Sequence, residues 1–201
     1  MTYGEAMFPP VVRVFGVPML PLALGHLVVL DRLESPFVHA RDRGVLGAGD
    51  IALIFQVCSR PWRHALFRLG TFGARWRMGR FAAAALPVKA AASEAIWHWK
   101  DSQFRGPRTR RVSDRRDLPP MGAPEHALIK VALMSDLGMS EDACLDRPVC
   151  LALWDLAVSA ERKGALKIVD REDMDRDAEM LSRALQMTDR NRARKEGASR
   201  V

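Results

Sequence analysis

Between residues 60 and 81 the chain places six arginines, Arg60, Arg63, Arg68, Arg75, Arg77 and Arg80, among five aromatics, Trp62, Phe67, Phe72, Trp76 and Phe81, with no acidic residue. Guanidinium groups pair with carboxylates or phosphates and aromatic planes stack on bases, so the mixture suits an acidic partner or a nucleic acid. A plainer account makes the aromatics core and the arginines their solvated rim, because an amphipathic helix interleaves the two without any partner. A second basic run, Arg105, Arg108, Arg110, Arg111, Arg115 and Arg116, has the charge to track a phosphate backbone. Asp114 and Asp117 interrupt it, and a solvated flexible hinge is the better account. These two runs form the candidate partner or nucleic-acid surface.

Other chemistry-bearing groups do not assemble into a recognisable set. His26 shares a helical stripe with Leu22, Val29 and Leu33, which points to a neutral core histidine bonded to backbone. Cys58 and His64, and likewise Cys144 and Cys150, stand six apart with Pro61 and Pro148 between them, a spacing that suits neither zinc nor a nucleophile–base pair. The acids Asp170, Glu172, Asp173, Asp175, Asp177 and Glu179 lack the glycine and closing glutamate of a calcium loop, and they suit a helix N-terminus instead. Gly44, Gly47 and Gly49 lack the Gly-Lys-Ser/Thr of a phosphate loop. A helix-turn-helix over 126–158 fails because the segment after Gly138 is acidic and is cut by Pro148. No catalytic, cofactor-binding or metal-ligating residue is assigned, and neither enzyme activity nor a cofactor is expected.

The elements that must position the basic aromatic segment are helical. Residues 11–20 are β-branched and broken by Gly16 and Pro18, which predicts an extended arm or small hairpin. Helices are predicted over Leu22–Glu34, stopped by Pro36; over Ile51–Cys58, capped by Asp50; after Pro61; and over about Phe72–Leu86 and Val88–Phe104, separated by Pro87. Beyond the linker come Pro124–Leu137 ended by Gly138, a turn capped by Ser140, and Pro148–Lys163 ended by Gly164. A last helix begins near Asp170 with Met174, Ala178, Leu181 and Leu185 as its apolar seam. The fold class is all-α and bundle-like, with a short N-terminal β arm. Its organisation is a front module at 1–104, a basic linker at 105–123, an acidic back module at 124–188 and a flexible basic tail at 189–201.

Bulk numbers bound the function. With 201 residues, 48% hydrophobic and 27% charged, the chain affords a sizeable core, which excludes wholesale disorder, and three cysteines are too few for a disulfide framework. Reduced thiols favour a cytoplasm. Met1-Thr-Tyr-Gly-Glu does not resemble a signal peptide, and the apolar stretch Phe15–Leu30 is interrupted by glycine, proline and His26, so neither simple export nor membrane insertion is expected. The net charge of +7 is uneven: +6 over residues 1–100, +3 over 101–117, −5 over 118–188 and +3 over 189–201. Basic and acidic parts can attract one another within the chain or address different partners.

Two stretches carry a resemblance. Leu22-Ala-Leu-Gly-His-Leu-Val-Val-Leu-Asp-Arg-Leu-Glu-Ser-Pro-Phe37, followed by Gly49-Asp-Ile-Ala-Leu-Ile-Phe-Gln-Val-Cys-Ser-Arg-Pro-Trp62, and the link Ser140 to Trp154, resemble small helical proteins encoded among bacteriophage tail and morphogenesis genes, of the assembly-chaperone or accessory type. The resemblance covers about a quarter of the chain and lies in core-packing positions. It implies a non-enzymatic phage or prophage protein, made in the bacterial host cytoplasm or carried in the virion. Its partners would be tail or other structural proteins, or further copies of itself. Apolar faces such as Leu22–Leu33 and Val149–Val158 are expected to bury against neighbouring elements or against a client.

Overall fold

The computed structural model describes residues 11–39, 43–111, 123–169, 179, 180 and 183. Strands Val12–Val14 (β1) and Val17–Met19 (β2) pair antiparallel around Phe15-Gly16. Both turn residues have positive φ, +49° and +78°, as a type I′ turn requires. Glycine adopts this conformation freely, but phenylalanine does so under strain.

The next segment threads through the molecule. The Leu20 N–H donates to the Cys58 carbonyl (2.9 Å), the Leu22 N–H to Gln103 Oε1 (3.0 Å), the Leu24 N–H to the Arg147 carbonyl (3.1 Å), and the Val149 N–H to the Leu22 carbonyl (2.8 Å). Helix α1, Leu24–Arg32, then begins with His26 in its first turn. The imidazole Nδ1 accepts the Ala23 N–H at 3.0 Å, which leaves Nε2 to donate to the Arg60 carbonyl at 2.6 Å. His26 is buried and both ring nitrogens are used by backbone, the arrangement of a neutral imidazole, and burial pushes its pKa down. The helix ends a turn earlier than predicted. Glu34, at φ +52°, occupies the left-handed position of a Schellman ending in which the Ser35 N–H reaches the Leu30 carbonyl and the Glu34 N–H reaches Asp31. Leu33 therefore lies exposed, outside the buried stripe it was assigned to, and Pro36 opens a short helix, α2 (Pro36–His39), instead of only stopping one.

Helix α3, Ala48–Cys58, starts after Gly47. Asp50 is not its N-cap as expected but sits in the first turn, where its carboxylate accepts the Gly47 N–H at 3.1 Å. Helices α4 (Trp62–Arg68) and α5 (Phe72–Ala85) follow, the second capped by Thr71, whose hydroxyl accepts the Ala74 N–H. A 3-10 turn, Leu86–Val88, holds Pro87 and leads into α6, Lys89–Gln103. Phe37 stacks near Trp97 and Trp99, with ring centroids 5.8 and 6.0 Å away. The Lys100 ammonium caps this cluster. It lies 4.7 Å from the Phe37 ring centre and 5.0 Å from that of Trp97, and it donates to the Phe37 carbonyl.

The predicted linker is structured at its start. Thr109–Arg111 form β3, antiparallel to β4 (Leu166–Ile168), so this part of the expected linker is a strand. The two short segments satisfy one another's backbone groups, which costs little apolar surface and so leaves little trace in composition. Between them lie α7 (Glu125–Leu137), α8 (Glu141–Asp146) and α9 (Val149–Arg162). Ser140, expected to cap a turn, caps α8, with its hydroxyl accepting the Ala143 N–H. The predicted seam Met174, Ala178, Leu181 and Leu185 and the tail beyond Thr188 lie outside the described residues.

The protein is thus mainly helical with two small strand pairs, and its buried cluster crosses the 105–123 segment. Leu22, Leu24 and Leu30, with Ile51, Ile54 and Ile96, share one core with Ile129, Leu133, Cys144, Val149 and Ala152. Of the two occupants expected for the apolar faces, neighbours within the chain cover the residues named here. The Leu22–Leu30 face is internal, and Val149 and Ala152 of α9 are buried with it, because each half supplies the apolar wall that the other lacks.

Candidate binding surface

The basic aromatic segment divides into two parts with different surroundings. In the first, the Trp62 indole lies flat over α1 where Gly25 has no side chain: a Cβ there would stand 2.4 Å from the ring. Indole Nε1 donates to Asp146 Oδ1 at 2.7 Å. Arg63 stacks over the same ring, its Cζ 4.7 Å from the centroid, and its Nη2 reaches Asp142 at 3.0 Å and Asp146 at 3.2 Å. Asp142 and Asp146 are one turn apart on α8, so a single guanidinium spans both. The bond from Arg63 holds Asp146 below the usual carboxylate range, with Trp62 adding to the effect. Here the sequence's basic front and acidic back meet within the chain.

The second part is uncovered. Helix α5 lays Ala74, Met78, Phe81 and Ala85 toward the core at 4-3-4 spacing, and the Phe81 ring meets Phe55 of α3 edge-on at 5.8 Å. Phe72, Trp76 and Arg80 form the opposite row, each four residues from the last. Phe72 is 85% exposed and Trp76 55%, and Phe67, just before the α4–α5 corner, is 83% exposed. The Arg80 Cζ stands 4.9 Å from the Trp76 ring centre. Among the described residues no carboxylate pairs with Arg75, Arg77 or Arg80 and nothing accepts from the Trp76 indole; the Arg77 side chain bonds only the Gly73 carbonyl.

Beside this row runs an open cavity of about 580 Å³. Phe15 at the hairpin tip, Val17, Phe55, Phe81 and Val88 give it apolar walls, and Trp76, Arg77 and Arg80 form its basic lip. Its size and apolar lining with a few charged groups at the edge are those of a ligand or side-chain recess. Arg60, in the turn before α4, adds to the positive field. One of its guanidinium nitrogens is buried with no hydrogen-bond partner, and burial together with the charges of Arg77 and Arg68 lowers its pKa.

The structure therefore brings Arg60, Arg68 and Arg77 within mutual influence and puts Arg75, Trp76 and Arg80 on the same helix as Arg77. It gives Trp62 and Arg63 to an internal contact. The linker arginines are elsewhere: Arg105 and Arg108 precede β3, and Arg110 and Arg111 lie in it, on a strand carried by β4 at the end of α9. Arg115 and Arg116 lie outside the described residues. Phe15, Val17 and Val88 were missed as site residues. Only the Phe-Gly dipeptide in the hairpin hinted at an aromatic held out at a turn.

No protein-family model matches the chain, and no curated protein or solved structure does so. Functional inference thus falls to the surface itself. Cys58 is fully buried, which pushes its thiol well up and keeps it from serving as a nucleophile beside His64. Among the described residues no group of three His, Cys, Asp or Glu side chains is placed to hold a metal ion, and no helix is long and apolar enough to cross a membrane.

Proposed function

We propose that this protein works by holding another protein, without turnover, and that its client belongs to bacteriophage or prophage morphogenesis, as the resemblance of its first two helices implies. The observation that supports a holding role is the uncovered α5 face. Burying a phenylalanine side chain contributes about 1.5–3 kcal/mol, yet Phe67 and Phe72 are exposed, and further along α5 Trp76 borders an apolar recess. A partner that covers them recovers that free energy on binding, and mass action then protects the client segment or places a subunit.

The test is purification of the tagged protein from cells expressing its native gene neighbourhood, at physiological salt and after nuclease treatment. Stoichiometric retention of tail subunits supports the reading. Retention of nucleic acid alone, lost as salt rises, replaces it with nucleic-acid binding through residues 60–81 and the Arg105–Arg116 run.

A further inference from the structure

We infer that the groove of Trp76, Arg77 and Arg80 receives an acidic helical segment of the partner, docking as α8 docks on Trp62 and Arg63 within the chain. This rests on the protein-holding reading and specifies the partner's chemistry. The molecule supplies its own template. At α8 a tryptophan and an arginine form one stacked unit, the indole N–H and the guanidinium share Asp146, and the guanidinium extends one turn back to Asp142. The unit reads two carboxylates at i and i+4 on one short helix. Trp76 and Arg80, one turn apart on α5 where Trp62 and Arg63 are adjacent, make the same kind of guanidinium–indole contact, at 4.9 Å against 4.7 Å. Among the described residues no carboxylate reaches it.

Three features single out an acidic protein helix from other anionic partners. The positive charge flanks an open apolar recess, with Phe15, Val17, Phe55, Phe81 and Val88 as its walls, and an apolar side chain on the docking helix fills that space. Both contacts join a guanidinium to an indole, and one of them holds a pair of carboxylates, which favours the same ligand class for the other. The like-charge crowding of Arg60, Arg68 and Arg77 is relieved by carboxylates arriving together. A phosphate backbone meets the charge but leaves the apolar recess unfilled, and a bilayer surface reaches the outward phenylalanines but does not enter the groove.

The probe is a capped helical peptide of about five turns that carries Glu pairs at i, i+4 beside a leucine stripe, titrated into the full-length protein and read by fluorescence anisotropy. The expected result is saturable binding that weakens about tenfold or more when Gln replaces Glu, and by a similar factor in the Arg77→Ala/Arg80→Ala protein. Those side chains are outside the core, so the variant's unchanged melting curve verifies its fold. A charge swap makes contact explicit: Arg77→Glu/Arg80→Glu protein should lose the Glu peptide and gain a Lys-substituted one. Equal binding of Glu and Gln peptides, no binding of either, or failure of the swap overturns the inference. So does tighter, Arg77- and Arg80-dependent binding of single-stranded DNA or of anionic vesicles. If tail subunits still copurify with the double variant, the groove proposal fails while the protein-holding reading stands; if wild-type protein retains none, the reading itself fails.

Discussion

Trp62–Arg63 and Trp76–Arg80 are chemically alike and structurally opposite. The first pair is folded onto Gly25 and two aspartates of α8, whereas the second stands on α5 with no carboxylate against it among the described residues. The difference shows that the basic aromatic segment is neither wholly a rim of the core nor wholly a binding surface. Its N-terminal part joins the basic front of the chain to the acidic back, and its C-terminal part repeats the chemistry without an internal partner. Within the described residues, composition supplies an acidic helix for one of the two pairs only.

The sharpest way to break the comparison is at a glycine beneath the first pair and one on the helix of the second. Gly25→Ala places a Cβ 2.4 Å from the Trp62 ring, and the indole cannot yield without leaving Asp146. We expect a loss of about 2–3 kcal/mol, seen as a lower urea midpoint at unchanged slope. Gly79→Ala, in the interior of α5, meets nothing within 4 Å and should raise stability by about 0.5–1 kcal/mol through helix propensity alone. Equal effects of the two substitutions would dissolve the distinction between a covered and an uncovered half.

Acid separates the halves in a second way. His26 and His126 both have pKa values lowered by burial, so the unfolded chain binds protons more tightly than the folded one. Their contribution to stability is complete above the ordinary imidazole value of about 6.5 and is lost progressively as pH falls below it. His26 holds the carbonyl of Arg60, one step before the turn into α4, so its protonation loosens the seat of Trp62. His126 faces Asp31, His39 and Lys130 between the two halves. The lowered carboxyl of Asp146 works in a separate window, present above the ordinary value near 4 and lost below it. Urea midpoints taken from pH 8 to pH 3 should fall in two stages, and Asp146→Asn should flatten the second stage and leave the first. A midpoint constant from pH 8 to pH 5.5 would remove the histidines from this account.

Much of the architecture was legible because helix signals are local. Gly138 and Gly164 end helices, Ser140 caps one, and His26 is the satisfied core histidine that its stripe predicted. What escaped was set by distant partners. Nothing near Thr109 announces that its strand partner begins at Leu166, and nothing near Leu22 says which of neighbours or a client covers its apolar face. The site was half legible for the same reason. Arginine and aromatic content marked residues 60–81, but only the position of α8 decides that Trp62 and Arg63 are occupied while Trp76 and Arg80 are not. Asp50 shows the limit at short range: an acid before an apolar run fits an N-cap or a first-turn position equally, and the backbone around Gly47 chose the second.

The smallest effect we expect is also the one that tests whether the groove is maintained at a cost to the fold. A type I′ turn favours asparagine at the position of Phe15, where a bulky side chain at φ +49° is strained by about 1 kcal/mol. Phe15→Asn should therefore stabilise the protein by about 0.5–1 kcal/mol in urea denaturation, because half of the ring is already in water and little burial is lost. The same change removes one wall of the recess beside Trp76 and should weaken binding of the acidic peptide about threefold. Opposite signs in the two measurements identify the aromatic tip as part of the binding surface. A gain in stability with unchanged peptide affinity would show that the partner engages α5 alone and that the hairpin only closes the far side of the core.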